Sequence, residues 1–121
     1  MTVDPLAGMV DLPGGSFLMG SDDPLGYPAD GEGPVREVVV SPFRISSTAV
    51  TNDEFSAFVE ATGHATTAGS EGWSFVFAGH LPDDFPETRG VVSAPWWRQV
   101  FGSDWCHPLG PDSGLAGLAD H

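Results

Sequence analysis

Apolar and polar positions alternate in short bursts along this chain, separated by turn residues. Met9-Val10-Asp11-Leu12 and Ser16-Phe17-Leu18-Met19 flank Pro13-Gly14-Gly15. Two short apolar runs about a Pro-Gly-Gly turn predict a β-hairpin. Leu25 to Pro34 is a loop rich in Gly, Pro and acid. The β-branched run Val35 to Val40, stopped by Ser41-Pro42, predicts a strand, and the alternation in Phe43-Arg44-Ile45-Ser46 predicts another or its extension. Thr51 and Glu54 have capping-box spacing, Phe55, Phe58 and Val59 form an i, i+3, i+4 stripe, and Gly63 stands where a helix stops. Together they predict a helix from about Asn52 to Thr62 with one aromatic face buried. His64 to Gly72 reads as a loop, Trp73 to Phe77 as a short aromatic strand, and Leu81 to Val92 as an exposed excursion. His107 to Ser113 is rich in turn residues.

Composition narrows the function classes. Seventeen acids face four bases, all arginine, for a net charge of −13. A nucleic-acid binder needs a basic footprint, and a surface that docks on anionic lipid needs the same sign. Both are excluded in favour of basic partners. With 16 Gly and 11 Pro in 121 residues, defined loops rather than long helices are expected. No apolar run approaches the roughly 20 residues of a membrane span. Met1 to Val10 carries Asp4 and no positive charge, which is not a signal-peptide pattern, so the expected compartment is cytoplasmic.

The single cysteine, Cys106, excludes an internal disulfide and any site needing two thiolates from this chain. His107 beside it can activate a thiol, but sequence neighbours on a strand or turn usually point apart, which favours a cysteine that merely fills space. His64, His80, His107 and His121 show no metal-ligand spacing. Asp22, Asp23, Asp30 and Glu32 lack the calcium-loop pattern and read as solvated turn acids. Phosphate-binding loops and nucleophile elbows are absent too. Trp96, Trp97 and Trp105 lie within ten residues of one another. They either line a groove or serve as core in a loop-rich domain, and Trp96 and Trp97 are not easily buried together.

The run Met9 to Ser21, the helix segment Val50-Thr51-Asn52-Asp53-Glu54-Phe55, and then Ser74-Phe75-Val76-Phe77, Ala94-Pro95-Trp96-Trp97 and His107-Pro108 with Gly110-Pro111-Asp112-Ser113 resemble, in that order, the formylglycine-generating enzyme (sulfatase-modifying factor) family. The wider superfamily includes iron-dependent sulfoxide synthases, whose His-rich helical motif is not present. The resemblance implies an α+β, C-type-lectin-like fold with low regular secondary structure, incomplete here. It makes residues 9–121 the N-terminal part of a sulfatase-modifying factor domain and residues 1–8 a tail. It implies oxidation of a sulfatase cysteine within Cys-x-Pro-x-Arg to formylglycine by O2, with that sulfatase peptide as partner and neither nucleic acid nor membrane. It also implies Cu(I) on a cysteine pair and structural Ca2+ in the full-length family, neither expected to be bound by this chain alone. No catalytic residue is expected here, since Cys106 stands where members usually carry arginine. The substrate-binding residues it implies are Ala68, Trp73, Ser74 and Trp96. Many members carry at position 73 an aspartate that pairs with the substrate arginine; Trp73 can instead stack on a guanidinium. Exposed apolar surface is expected where the rest of such a domain would pack.

Overall fold

The computed structural model describes residues 6–121; the first part of the tail, residues 1–5, lies outside the described residues. The chain divides into two units, 1–49 and 50–121.

In the first unit, β1 (Met9–Leu12) and β2 (Gly15–Met19) do not pair with each other. β1 pairs antiparallel with β4 (Phe43–Ser46), Leu12 opposite Phe43, and β2 with β3 (Arg36–Val40), Gly15 opposite Val40. The register runs unchanged from one ladder into the next, so the unit is one long two-stranded ribbon. The hairpin expected about Pro13-Gly14-Gly15 is therefore incorrect. That segment is the break between the ladders. Continuing the register sets Pro13 against Pro42, and neither ring nitrogen can donate, so the hydrogen bonding lapses there. The chain reverses instead through residues 20–35. Here the acids do turn work, as expected: Asp22 accepts from Val35 N–H, Asp23 from Leu25 N–H and Glu32 from Tyr27 N–H. Cross-strand pairing holds the ribbon, through an Asp11–Arg44 ion pair and a Ser16–Glu37 hydrogen bond among others. Its apolar side chains stay open to solvent, Leu18 at 72% and Val39 at 78%.

The second unit begins with α1 (Asn52–Thr62), where the helix was expected, but the aromatic face expected to be buried is not, with Phe58 45% exposed. Thr51 Oγ1 accepts from Glu54 N–H and Glu54 Oε2 from Thr51 N–H. The remaining first-turn donors are not left to water. Asn52 N–H donates to His121 O and Asp53 N–H to Ala119 O, and the Asn52 side chain donates to Leu118 O. Every orphan donor of that turn has a partner within the unit. We expect Thr51→Ala to cost about 1 kcal/mol, read as a lower midpoint in thermal melts followed by far-UV circular dichroism, with Thr51→Ser close to wild type.

A second helix, α2 (Thr67–Glu71), replaces part of the expected loop. Thr66 caps it by accepting from Gly69 N–H. Then come β5 (Trp73–Phe77), β6 (Gly90–Val91) and β7 (Ala94–Phe101), in the order β5-β7-β6, all antiparallel. The stretch after β7 is turns. Val76 and Val100, 5% and 2% exposed, form the buried apolar centre beside Ser103, whose hydroxyl donates to Pro108 O. Among the described residues no helix is long and apolar enough to cross a membrane.

Candidate functional site

Strand alternation distributes the expected groove residues. β5 faces β7 with Trp73 opposite Phe101, Ser74 opposite Val100 and Phe77 opposite Trp97. Paired positions share a face and successive ones alternate. Ser74, Val76 and Val100 therefore belong to one face, while Trp73, Phe75, Phe77, Trp97 and Phe101 belong to the other. Ala68 lies on α2, half-buried, and its carbonyl accepts from Gly72 N–H just before Trp73. Trp73 and Ser74 thus look to opposite sides of the sheet, and Trp96 precedes the β5–β7 ladder, in the stretch where the β6–β7 register shifts. The two adjacent tryptophans are both exposed, Trp96 at 51% and Trp97 at 43%, and both belong to a strand.

The second face forms an aromatic row. The rings of Trp73 and Phe75 meet edge to face at 5.1 Å, and those of Phe77 and Trp97 at 6.1 Å. Phe75, Phe77 and Phe101 are as open as Trp97. The aromatic run at 73–77 was the available signal for this row, but its partners on β7 depend on register and were not legible. Trp105 is apart from it, packed edge-on against Phe55 of α1 at 5.0 Å.

A polar cluster follows β7. Asp104 Oδ1 accepts from the backbone N–H of Cys106 (3.0 Å) and of His107 (2.8 Å). The same oxygen lies 3.3 Å from Cys106 Sγ and 2.9 Å from His107 Nδ1, and those two atoms are 3.3 Å apart. The expectation that Cys106 and His107 diverge is overturned, because the Asp104 turn bends the backbone and folds both side chains back onto one carboxylate. Asp104 itself escaped notice in the sequence; the Asp-x-Cys-His spacing was its signal. Burial pushes the Cys106 thiol up, and the hydrogen bond and charge of Asp104 push it further. The neutral thiol is favoured, so this is not an activated nucleophile. Burial also acts to raise the Asp104 carboxyl, but hydrogen bonds from the His107 and Cys106 side chains, then from both backbone groups, outweigh it and hold the carboxyl below its ordinary value.

A family model, the sulfatase-modifying factor enzyme 1-like domain, matches residues 1–121. The chain is 50% identical over 115 residues to a formylglycine-generating enzyme of Thermomonospora curvata, covering 94% of this chain and 38% of that protein. It is 48% identical over 117 residues to one of Streptomyces coelicolor, covering 94% and 37%. A Bos taurus protein named inactive C-alpha-formylglycine-generating enzyme 2 is 47% identical over 109 residues, 88% of this chain and 36% of that protein. The chain thus spans little more than a third of the length of these relatives.

Proposed function

The chain belongs to the sulfatase-modifying factor family, and from that premise we propose that it is the N-terminal part of a formylglycine-generating enzyme. Such an enzyme oxidises the cysteine of a sulfatase Cys-x-Pro-x-Arg segment to formylglycine with O2. In this reading the chain supplies part of the peptide groove, within a C-type-lectin-like fold, and contributes no catalytic cysteine. One observation carries it: the family match runs the whole length of a chain with a single thiol, Cys106.

A Cu(I) site on paired thiolates does not fit these residues. Copper(I) favours soft thiolates, and the lone thiol here is held towards its neutral form by Asp104. No oxidation step is therefore assigned to Cys106, and we propose that this chain alone holds neither the copper nor the calcium of full-length members. Substrate contact is assigned to Ala68, Trp73, Ser74 and Trp96, and because Trp73 and Ser74 face opposite sides of β5, the arginine contact falls to the Trp73 side. The half-exposed Trp73 offers a face to the arginine of the motif, a cation–π contact of about 0.5–2 kcal/mol. The charge of −13 draws a basic peptide towards it.

The test has two readouts on one sample, the chain with Cu(I), oxygen and a Cys-x-Pro-x-Arg peptide. We expect the peptide to quench tryptophan fluorescence, less so for Trp73→Ala or a peptide with alanine for arginine, and mass spectrometry to find no formylglycine. Turnover would refute the division of labour, and an unresponsive fluorescence would refute the groove. A second reading, a non-catalytic peptide-binding module on the same scaffold, is favoured by the equally similar relative named inactive. Supplying the remaining two-thirds of an active relative separates them: turnover supports the first reading, and binding without turnover the second.

A further inference from the structure

We propose that Asp104 Oδ1, Cys106 Sγ and His107 Nδ1 together form a three-donor site for a divalent zinc ion. The three atoms make a small triangle with sides of 2.9, 3.3 and 3.3 Å. All three residues are half-buried, and among the described residues they are the sole group of three such donors gathered this closely. A tetrahedral zinc ion, with Zn–S about 2.3 Å and Zn–N and Zn–O about 2.0–2.2 Å, sets donor–donor separations of about 3.3–3.6 Å. The donors need only spread by a few tenths of an ångström to seat it.

The surroundings suit an ion. The N–H groups of Cys106 and His107 already fix the carboxylate, as outer hydrogen bonds do for a metal ligand. A cavity of about 370 Å³ lined by Asn52, Asp53, Ser56, Trp105 and Cys106 opens beside the thiol. It gives the ion a route and leaves room for water in the fourth position. One sulfur, one imidazole nitrogen and one carboxylate oxygen form a set for a borderline cation. Calcium takes oxygen donors alone, and Cu(I) prefers paired soft sulfur.

Binding balances simply. The Cys106 S–H bond breaks, the sulfur lone pair binds zinc and the proton passes to buffer. His107 binds through the Nδ1 lone pair, with its ring proton on Nε2.

The test uses this chain with Zn2+ alone as the probe. Affinity is read by competition with a chromophoric chelator, and site occupancy by the rate at which iodoacetamide alkylates Cys106. We expect one equivalent bound and alkylation slowed at least about tenfold. Cys106→Ser and His107→Gln should each weaken binding about tenfold or more. Asp104→Asn keeps an acceptor for both backbone N–H groups, so it removes the ligand charge while sparing the turn. An alkylation rate indifferent to saturating zinc in the unaltered chain would overturn the site. So would equal affinity in the unaltered chain, Cys106→Ser and His107→Gln, which would put zinc elsewhere on the acidic surface.

Discussion

Gly102→Ala is expected to remove about 3 kcal/mol from the stability of the second unit. Gly102 ends β7 at φ 79°, where a side chain costs about 1–2 kcal/mol. A Cβ there would stand 2.8 Å from Pro111 Cδ and 3.1 Å from Pro111 Cβ, both in a ring with little room to turn. Relieving such crowding costs typically about 1–3 kcal/mol more. The position also joins two segments, since Gly102 N–H donates to Gly72 O at 2.9 Å. All four tryptophans belong to residues 50–121 and the one tyrosine, Tyr27, does not. Tryptophan fluorescence in urea therefore follows the second unit selectively. In a unit of this size the midpoint of thermal unfolding should fall by more than about 10 °C. Gly63→Ala is the control, with φ 67° but open space around its Cβ, and should lose only the backbone share. Equal losses at the two positions would show that Pro111 yields and that the packing argument is wrong.

Asp104→Ala is expected to cost about 2–3 kcal/mol and to flatten the dependence of stability on pH. One carboxylate oxygen serves two backbone donors, a thiol and an imidazole, and hydrogen bonds to a charged acceptor are worth more than neutral ones. Partial exposure of the pair reduces their share. The sign on each side of neutrality follows from linkage. The Asp104 carboxyl is held below its ordinary value in the folded state. Its contribution is therefore present above the unfolded carboxylate range and is lost as pH falls through the lower folded value. The Cys106 thiol is raised, so its contribution is present below the unfolded thiol value and is lost as pH climbs through the higher folded one. Melting temperatures measured from acid to alkaline pH should decline at both ends in the unaltered chain, and less steeply in Asp104→Ala. An acid limb unchanged by the substitution would show that other carboxylates govern it.

The elements legible in the sequence were those that local rules specify. Thr51, Glu54 and Gly63 fix α1 within a dozen residues of chain, and the observed helix has the expected ends. The strands at 36–40 and 73–77 followed from β-branched and aromatic runs and that at 43–46 from apolar–polar alternation. What failed was pairing. Pro13-Gly14-Gly15 carries a strong turn signal, but Arg36–Val40 offers β2 a five-residue partner, and the prolines make the same segment a break in the ribbon. β7 has no element assigned from sequence, since Pro95 interrupts the pattern and Trp96-Trp97 breaks strict alternation. α2 was hidden because Thr67–Glu71 has no apolar stripe. For the site, resemblance singled out Ala68, Trp73, Ser74 and Trp96, but that Ala68 lies on α2 and that Trp73 and Ser74 face opposite sides of β5 depends on the folded strand and helix. Cys106 and His107 were noticed as neighbours; that they converge depends on a turn made by Asp104, which no local periodicity announces.

The contacts that finish α1 carry a kinetic consequence. A helix is ordinarily the fastest element to form, because its contacts lie four residues apart. Here the first turn is completed by the carbonyls of Leu118, Ala119 and His121, some sixty-six residues along the chain for the Asn52 side chain. Closing so long a loop exacts its entropy before those bonds can form. A segment that begins as the most local structure in the unit thus acquires its last hydrogen bonds only when residues 118–121 arrive.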